Sequence, residues 1–298
     1  MTRAFVAAVF ALALLLQPRG AAACSTCACG DYTITLMGAE KPYAGRLRAA
    51  ADFAMRSETK GAAGQLDFQD IDEWRTNLGL SYSPSPRLTI GAQVPLVKKR
   101  VRFGNLAEIE TEGVGDADLL LRWAAWQDRA TMPRHMAGLR AGVRLPTSEE
   151  VKDGNGNRID IDAQPDPGAT APNLGGWYGY YRFPLFVTAS AYYLKYGEGN
   201  QDFEPGDALI ASVSGQYALG ESFAIQLGLD GRHTQRNRFS GVEDPNSGGV
   251  LTMGFAGAVL RFGADFLVHA GIQFPLHEDL NGVQEEERSY RIGLAYDF

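Results

Sequence analysis

Three cysteines stand within six residues, Cys24, Cys27 and Cys29 in "AAACSTCACGD", and the chain holds no others. Thiols at C-x-x-C-x-C spacing can do three kinds of work. They can hold a soft metal ion: copper(I) through three sulfurs, or zinc if a fourth ligand such as Asp31 joins them. They can form a disulfide between Cys24 and Cys27, with Cys29 left over or paired to a second molecule. Alternatively Cys24, if it follows a cleaved leader, can carry a lipid. Ala28 rather than His follows Cys27, so the motif is not a covalent haem attachment site. The metal or redox reading makes this head a working site, with a periplasmic redox or metal-carrier protein as its partner.

No other cluster of reactive residues stands out. His135, His233, His269 and His277 are scattered, and no local signature marks a serine nucleophile, so an enzyme is not expected. "DGNGNRIDID" begins like a calcium loop, with oxygens at Asp153, Asn155 and Asn157. The pattern then fails, because Arg158 replaces the turn glycine and Gln164 stands where a bidentate Glu should be. That stretch reads as an acidic external loop.

The segments that would position these groups begin with an export signal. Arg3, the apolar run "FVAAVFALALLL" and the small residues before Cys24 form a secretory leader over residues 1–23, too short for a comfortable membrane-spanning helix. Residues 24–39 then form a Cys-rich periplasmic tail, and residues 40–298 a single β domain. Export places the thiols in an oxidising compartment. The net charge of −7 gives no reason to expect a nucleic-acid partner.

Alternation decides the fold class. "YRIGLAYDF" puts Tyr290, Ile292, Leu294, Tyr296 and Phe298 on one side and Arg291, Gly293, Ala295 and Asp297 on the other. Eleven upstream segments of ~10 residues or more repeat the pattern, only weakly in "NLGGWYGYYRF". Long and short connections alternate between them. Short turns such as "SPSP", "RFP" and "ALGES" are separated by long loops such as "GNLAEIETEGVG", "GEGNQDFEPGD" and "HEDLNGVQEEER". The expected fold is therefore all-β, a transmembrane antiparallel up-and-down barrel of about 12 strands with short periplasmic turns and long extracellular loops. An even strand count leaves the N- and C-termini periplasmic in a Gram-negative outer membrane. Tyr290, Tyr296 and the terminal Phe298 resemble the signal read by the barrel-assembly machinery, and outer-membrane lipid would surround the apolar face.

In this register the lumen is lined by Arg46, Arg48, Asp52, Arg56, Glu73, Arg75, Asp118, Arg122, Arg140, Arg144, Asp230, Arg232, His269 and Arg291. Asp116, Asp265 and Asp297 also face inward. Two readings stay open. Wall charges can select small ions and polar solutes, with the arginine excess favouring anions, or they can pair across a plugged interior. His269 is a solvated wall position or a proton-sensitive one. Trp177, Tyr178, Tyr180, Tyr181, Phe183, Tyr192, Tyr193 and Tyr196 read as the interfacial aromatic girdle.

"GVGDADLLLRW" followed by "GLRAGVRLPTSE" resembles a bacterial outer-membrane family tied to a meta-cleavage phenol-degradation pathway. Its members show a G-x-G-D strand start and, one strand later, a strand ending in L-P-T-G-D or similar. "LPTSEE" departs from that pattern, and the cysteine head lies outside it. The resemblance implies a twelve-stranded barrel with a transport role and leaves the small solute open. The expected function is a narrow channel or transporter. The alternative is a metal-binding or redox-coupled protein in which the CxxCxC head works and the barrel anchors it.

Overall fold

Each amphipathic segment is a strand, and the set closes on itself. The computed structural model describes residues 42–65 and 68–298. The leader and Cys24, Cys27 and Cys29 lie outside the described residues. The strands are β1 (Arg46–Lys60), β2 (Gln69–Ser85), β3 (Leu88–Phe103), β4 (Glu108–Val114 and Ala117–Gln127), β5 (His135–Leu145) and β6 (Ala171–Arg182). They continue as β7 (Leu185–Leu194), β8 (Ala208–Ala218), β9 (Phe223–Thr234), β10 (Gly249–Phe262), β11 (Phe266–Leu280) and β12 (Gln284–Glu286 and Ser289–Asp297). Sequential neighbours pair antiparallel throughout. β1 also pairs with β12, Arg48 opposite Asp297 through Met55 opposite Tyr290, which closes a 12-stranded barrel.

The two faces settle the solvent. Along β12, Ser289, Arg291, Gly293, Ala295 and Asp297 are sheltered, while Tyr290, Ile292, Leu294 and Tyr296 are exposed. The same holds around the wall: Arg48, Asp52, Glu73 and Gln93 are buried, whereas Leu80, Ile90, Leu139 and Leu227 stand outside. A water-soluble sandwich shelters its apolar side chains; here the sheltered side is charged and the open side greasy. That inversion suits a wall between lipid and a polar interior.

One end of the barrel has links as short as 86–87 and 183–184, with 128–134 the longer exception. At the other end lie 146–170, 195–207 and 235–248. Two connections expected as long loops, "GNLAEIETEGVG" and "HEDLNGVQEEER", are mostly strand, turning only at 104–107 and 281–283. The β3–β4 tip explains this. Lys98 meets Glu110 at 2.5 Å and Arg100 meets Glu110 at 3.4 Å, all exposed. Opposite charges on facing strands support a ladder in water above the apolar band. Short strands Phe203–Glu204, Arg238–Phe239 and Val242–Glu243 tie two of the long loops together.

Two expectations are corrected. Asp265 sits exposed in the turn 263–265, not on the inner wall, because β11 begins only at Phe266. The aromatic cluster is not a single girdle: Tyr178 and Tyr193 face out, but Trp177, Tyr181, Tyr192 and Tyr196 are buried. The alternation of β6 and β7 divides them between the faces.

Candidate functional site

The inner wall is a chain of ion pairs. Where the two ends of the chain meet, Asp297 accepts from Arg46 Nε at 3.0 Å and from Arg48 Nε and Nη2 at 2.7 Å each. Asp52 takes Arg291 at 2.9 Å and His269 Nε2 at 3.2 Å. His269 reaches β1 from β11 by passing over Gly293 of the intervening β12, where any Cβ would overlap the imidazole. Asp118 is gripped by Arg144 through Nε and Nη2, each at 3.1 Å, and by Gln93 at 3.2 Å. Glu73 collects Arg75 at 2.8 Å, Arg56 at 3.4 Å and Lys99 at 3.8 Å. Asp230 accepts from Gln273 at 2.9 Å, and Arg232 Nε donates to Thr234 at 2.7 Å. Arg122 and Arg140 lie over the rings of Trp177 and Tyr192. Outside the wall, Tyr290, Tyr296 and Phe298 are exposed, and the Phe298 ring meets that of Tyr296 edge-on at 4.8 Å.

The decisive element is a segment the sequence placed outside. Within the connection 146–170, Ile161, Asp162, Ala163, Gln164 and Asp166 are all buried, as is Ala169. This stretch folds into the barrel and is held there by side chains of the wall. Asp166 forms a two-pronged pair with Arg75, 3.0 Å to Nη1 and 2.8 Å to Nη2, and accepts from the Asp116 N–H at 2.9 Å. Lys60 bridges Asp162 at 3.0 Å and Asp244 of the loop 235–248 at 2.8 Å. Thr111 donates to the Ala163 carbonyl. Burial alone would raise the Asp166 carboxyl, but the Arg75 guanidinium overrides it and holds the group below the usual carboxylate range.

The short motifs around β4 and β5 gain a physical meaning from this loop. In "GVGD" a Cβ on Gly115 would overlap the Asp166 carboxylate and lie 2.9 Å from Pro95, and one on Gly113 would crowd Pro165 at 3.0 Å. Asp116 accepts from the Ser148 N–H at 3.0 Å and the Ala169 N–H at 3.3 Å, so it grips both ends of the loop. Thr147 of "LPTSEE" accepts from the Ala117 N–H at 2.8 Å and donates to the Gly115 carbonyl at 2.9 Å. The two motifs form one clasp at the base of the inserted segment. Asp153 keeps its carboxylate in a local turn, accepting from Asn155 and Asn157.

No family model and no curated protein matches the sequence. Solved structures do match. An outer-membrane channel from Pseudomonas putida F1 superposes with a TM-score of 0.67 at 16% identity, over 87% of this chain and 97% of that one. The chain has that channel's fold. The translocator domain of the autotransporter NalP from Neisseria meningitidis follows with a TM-score of 0.52 at 15% identity, over 86% of this chain and 90% of that one. The P. putida toluene transporter TodX is a more distant likeness, at a TM-score of 0.47 and 11% identity over 95% of this chain and 99% of that one.

Several residues that build the interior escaped the sequence reading. Lys99 faces inward on β3, where the alternation runs on through "VKKRV". Asp162 and Asp166 sit in a run that reads as a solvated loop. The available signal was "PDPG", where two prolines stiffen the backbone on either side of one carboxylate.

Proposed function

We propose that the chain is a narrow outer-membrane channel for small solutes. Its termini lie on the periplasmic side, and its long loops on the outside. The inserted segment 161–169 acts as the constriction. The observation that carries this reading is the way the segment is held. It packs inside a polar barrel through breakable side-chain pairs, Arg75–Asp166 and Lys60–Asp162, with no strand pairing to the wall. A barrel serving only as an anchor needs no such arrangement, since wall charges could pair among themselves.

The test is single-channel recording of the purified full chain in planar bilayers. The expected result is a small conductance that rises when residues 161–169 are replaced by a short glycine-serine linker. A barrel that stays silent both with the segment and without it would refute the channel. Protease or antibody access to the 146–170 loop on intact cells checks the orientation, and protection of that loop would reverse it.

A further inference from the structure

At the outer end of the seam between β1 and β12 an acid faces an acid. Glu58 stands directly opposite Glu286 in the antiparallel register, and the two are 2% and 3% exposed. Side chains paired in this way have Cβ atoms about 4.5–5.5 Å apart, and like charges so placed repel. Neither carboxylate oxygen of Glu286 has a hydrogen-bond partner, nor does the amide oxygen of buried Gln284, two residues back on the same face. Arg56 reaches Glu58 at 3.8 Å but also meets Glu73 at 3.4 Å. Glu278 on β11 adds a third acid to the field at Glu286, and Arg232 on β9 a second cation. Among the described residues no three His, Cys, Asp or Glu side chains are grouped so that they could hold a metal ion.

A carboxylate sealed from water without a donor is costly to keep charged, and a proton removes that cost without needing space. This end of the seam stands above the apolar band, since its outward residues Glu285 and Glu287 are exposed and charged. Burial, then Glu58 and Glu278, push the Glu286 carboxyl above the usual carboxylate range against the pull of Arg56 and Arg232. The pair also heads a line of contacts to the constriction. The tip 281–284 rests on the loop 235–248, where the Val283 N–H donates to Asn246 and the Asn281 N–H to the Gly248 carbonyl, each at 3.1 Å. Lys60, two residues beyond Glu58, binds Asp244 of that loop and Asp162 of the inserted segment.

We propose that Glu58 and Glu286 form a proton-binding pair whose proton fastens the outer end of the seam. The carboxyl of Glu286 donates to the carboxylate of Glu58, and Arg56 balances the charge that remains. Loss of the proton sets two like charges face to face, parts 284–286 from 58–60 and loosens the hold of Lys60 on the inserted segment. That last consequence rests on the channel reading and adds a control by alkali to its constriction; the proton site stands without it. The proton's contribution is complete below the ordinary carboxylate value and is lost as pH rises through the raised one, opposite in sign to that of Asp166.

Infrared difference spectroscopy of the purified full chain in detergent, natural against Glu286→Gln, tests the site. The amide has the shape of the protonated acid, so the variant should fold. The natural protein is expected to show a protonated-carboxyl band at about pH 7, where an ordinary glutamate is ionised, and Glu286→Gln to lose it. The band should vanish in alkaline buffer, and Glu58→Gln, which removes the facing charge, should move its loss to lower pH. A neutral-pH spectrum that Glu286→Gln leaves unchanged would overturn the proposal. So would an unshifted titration in Glu58→Gln, which decides the matter if the first variant fails to fold. In bilayers at alkaline pH the natural protein should open several-fold more often than at neutrality, and Glu286→Gln should not; equal opening of the two would overturn the link to the inserted segment. A conducting barrel without the band removes the proton site and leaves the channel, and a silent barrel with the band does the reverse.

Discussion

Asp166→Asn is the sharpest test of the constriction. The substitution keeps the shape of the side chain and an oxygen for the Asp116 N–H, now 2.9 Å away, but deletes the charge facing Arg75. Arg75 would still hold Glu73 at 2.8 Å, so the barrel wall survives while the loop loses its main tether. Both partners are buried and the pair is two-pronged, at 3.0 and 2.8 Å. Breaking such a pair costs about 3 kcal/mol, at the low end for buried ions because Glu73 still compensates Arg75. That corresponds to roughly a hundredfold shift between the inserted and displaced loop. In bilayer recordings the variant should show long-lived higher-conductance states that are rare in the natural protein. Acid supplies a second axis. Because Asp166 is held below the usual carboxylate range, the tether's contribution is complete above the ordinary value and is lost as pH falls through the lowered one. The natural protein should therefore open as pH falls below the ordinary carboxylate range, whereas Asp166→Asn should be open throughout. Identical conductance and dwell times in the two proteins, with the loop equally resistant to protease, would refute the reasoning.

Other substitutions address the same assembly. Gly115→Ala forces a methyl into the Asp166 carboxylate and should open the channel much as Asp166→Asn does; a conductance like that of the natural protein would mean the loop adapts without leaving. Thr147→Val removes both hydroxyl bonds of the clasp and should lower the loop's stability by about 1–2 kcal/mol, seen as faster proteolysis at 150–158 while the barrel stays folded. Removal of Phe298 deletes an exposed aromatic and the N–H that donates to Leu47 at 2.8 Å, and should reduce the amount of barrel assembled in cells. Unchanged levels would show that Tyr290 and Tyr296 suffice. For Cys24, Cys27 and Cys29, intact mass under native conditions should show a bound soft metal that is lost on denaturation. A chain lighter by two hydrogens would make the head a disulfide, and a diacylglyceryl-sized addition would make Cys24 an anchor.

How far the sequence alone carried depends on which solvent each residue meets. Ile292, Leu294 and Arg291 report their faces through a two-residue period because lipid and the interior demand opposite chemistry of adjacent residues. The period therefore located the strands and their inner faces. Above the bilayer the outward face is no longer apolar: Lys98, Arg100 and Glu110 stand outside on a hairpin that reads as loop, while Val97, Lys99, Val101 and Thr111 are buried on its other face. The inserted segment was illegible for a related reason. Asp162 and Asp166 have the composition of a solvated loop, and their match to Lys60 and Arg75, distant in sequence, helps to draw them inside. The aromatics of β6 misled because Gly175, Gly176 and Gly179 blur the alternation that would have separated Trp177 and Tyr181 from Tyr178.

The seam between β1 and β12 bears on how the molecule is completed. Its inner face joins residues from opposite ends of the chain: Arg46 and Arg48 to Asp297, and Asp52 to Arg291. Until β12 docks, β1 lacks the partners that Asp297 and Arg291 supply, and an unclosed sheet carries an unpaired backbone edge. Closure then removes an exposed edge and forms these pairs in the same event. A chain cut short before Ser289 gains neither, so it should linger as an open sheet exposed to periplasmic proteases. The seam thus ties barrel closure to ion pairs between strands far apart in the sequence.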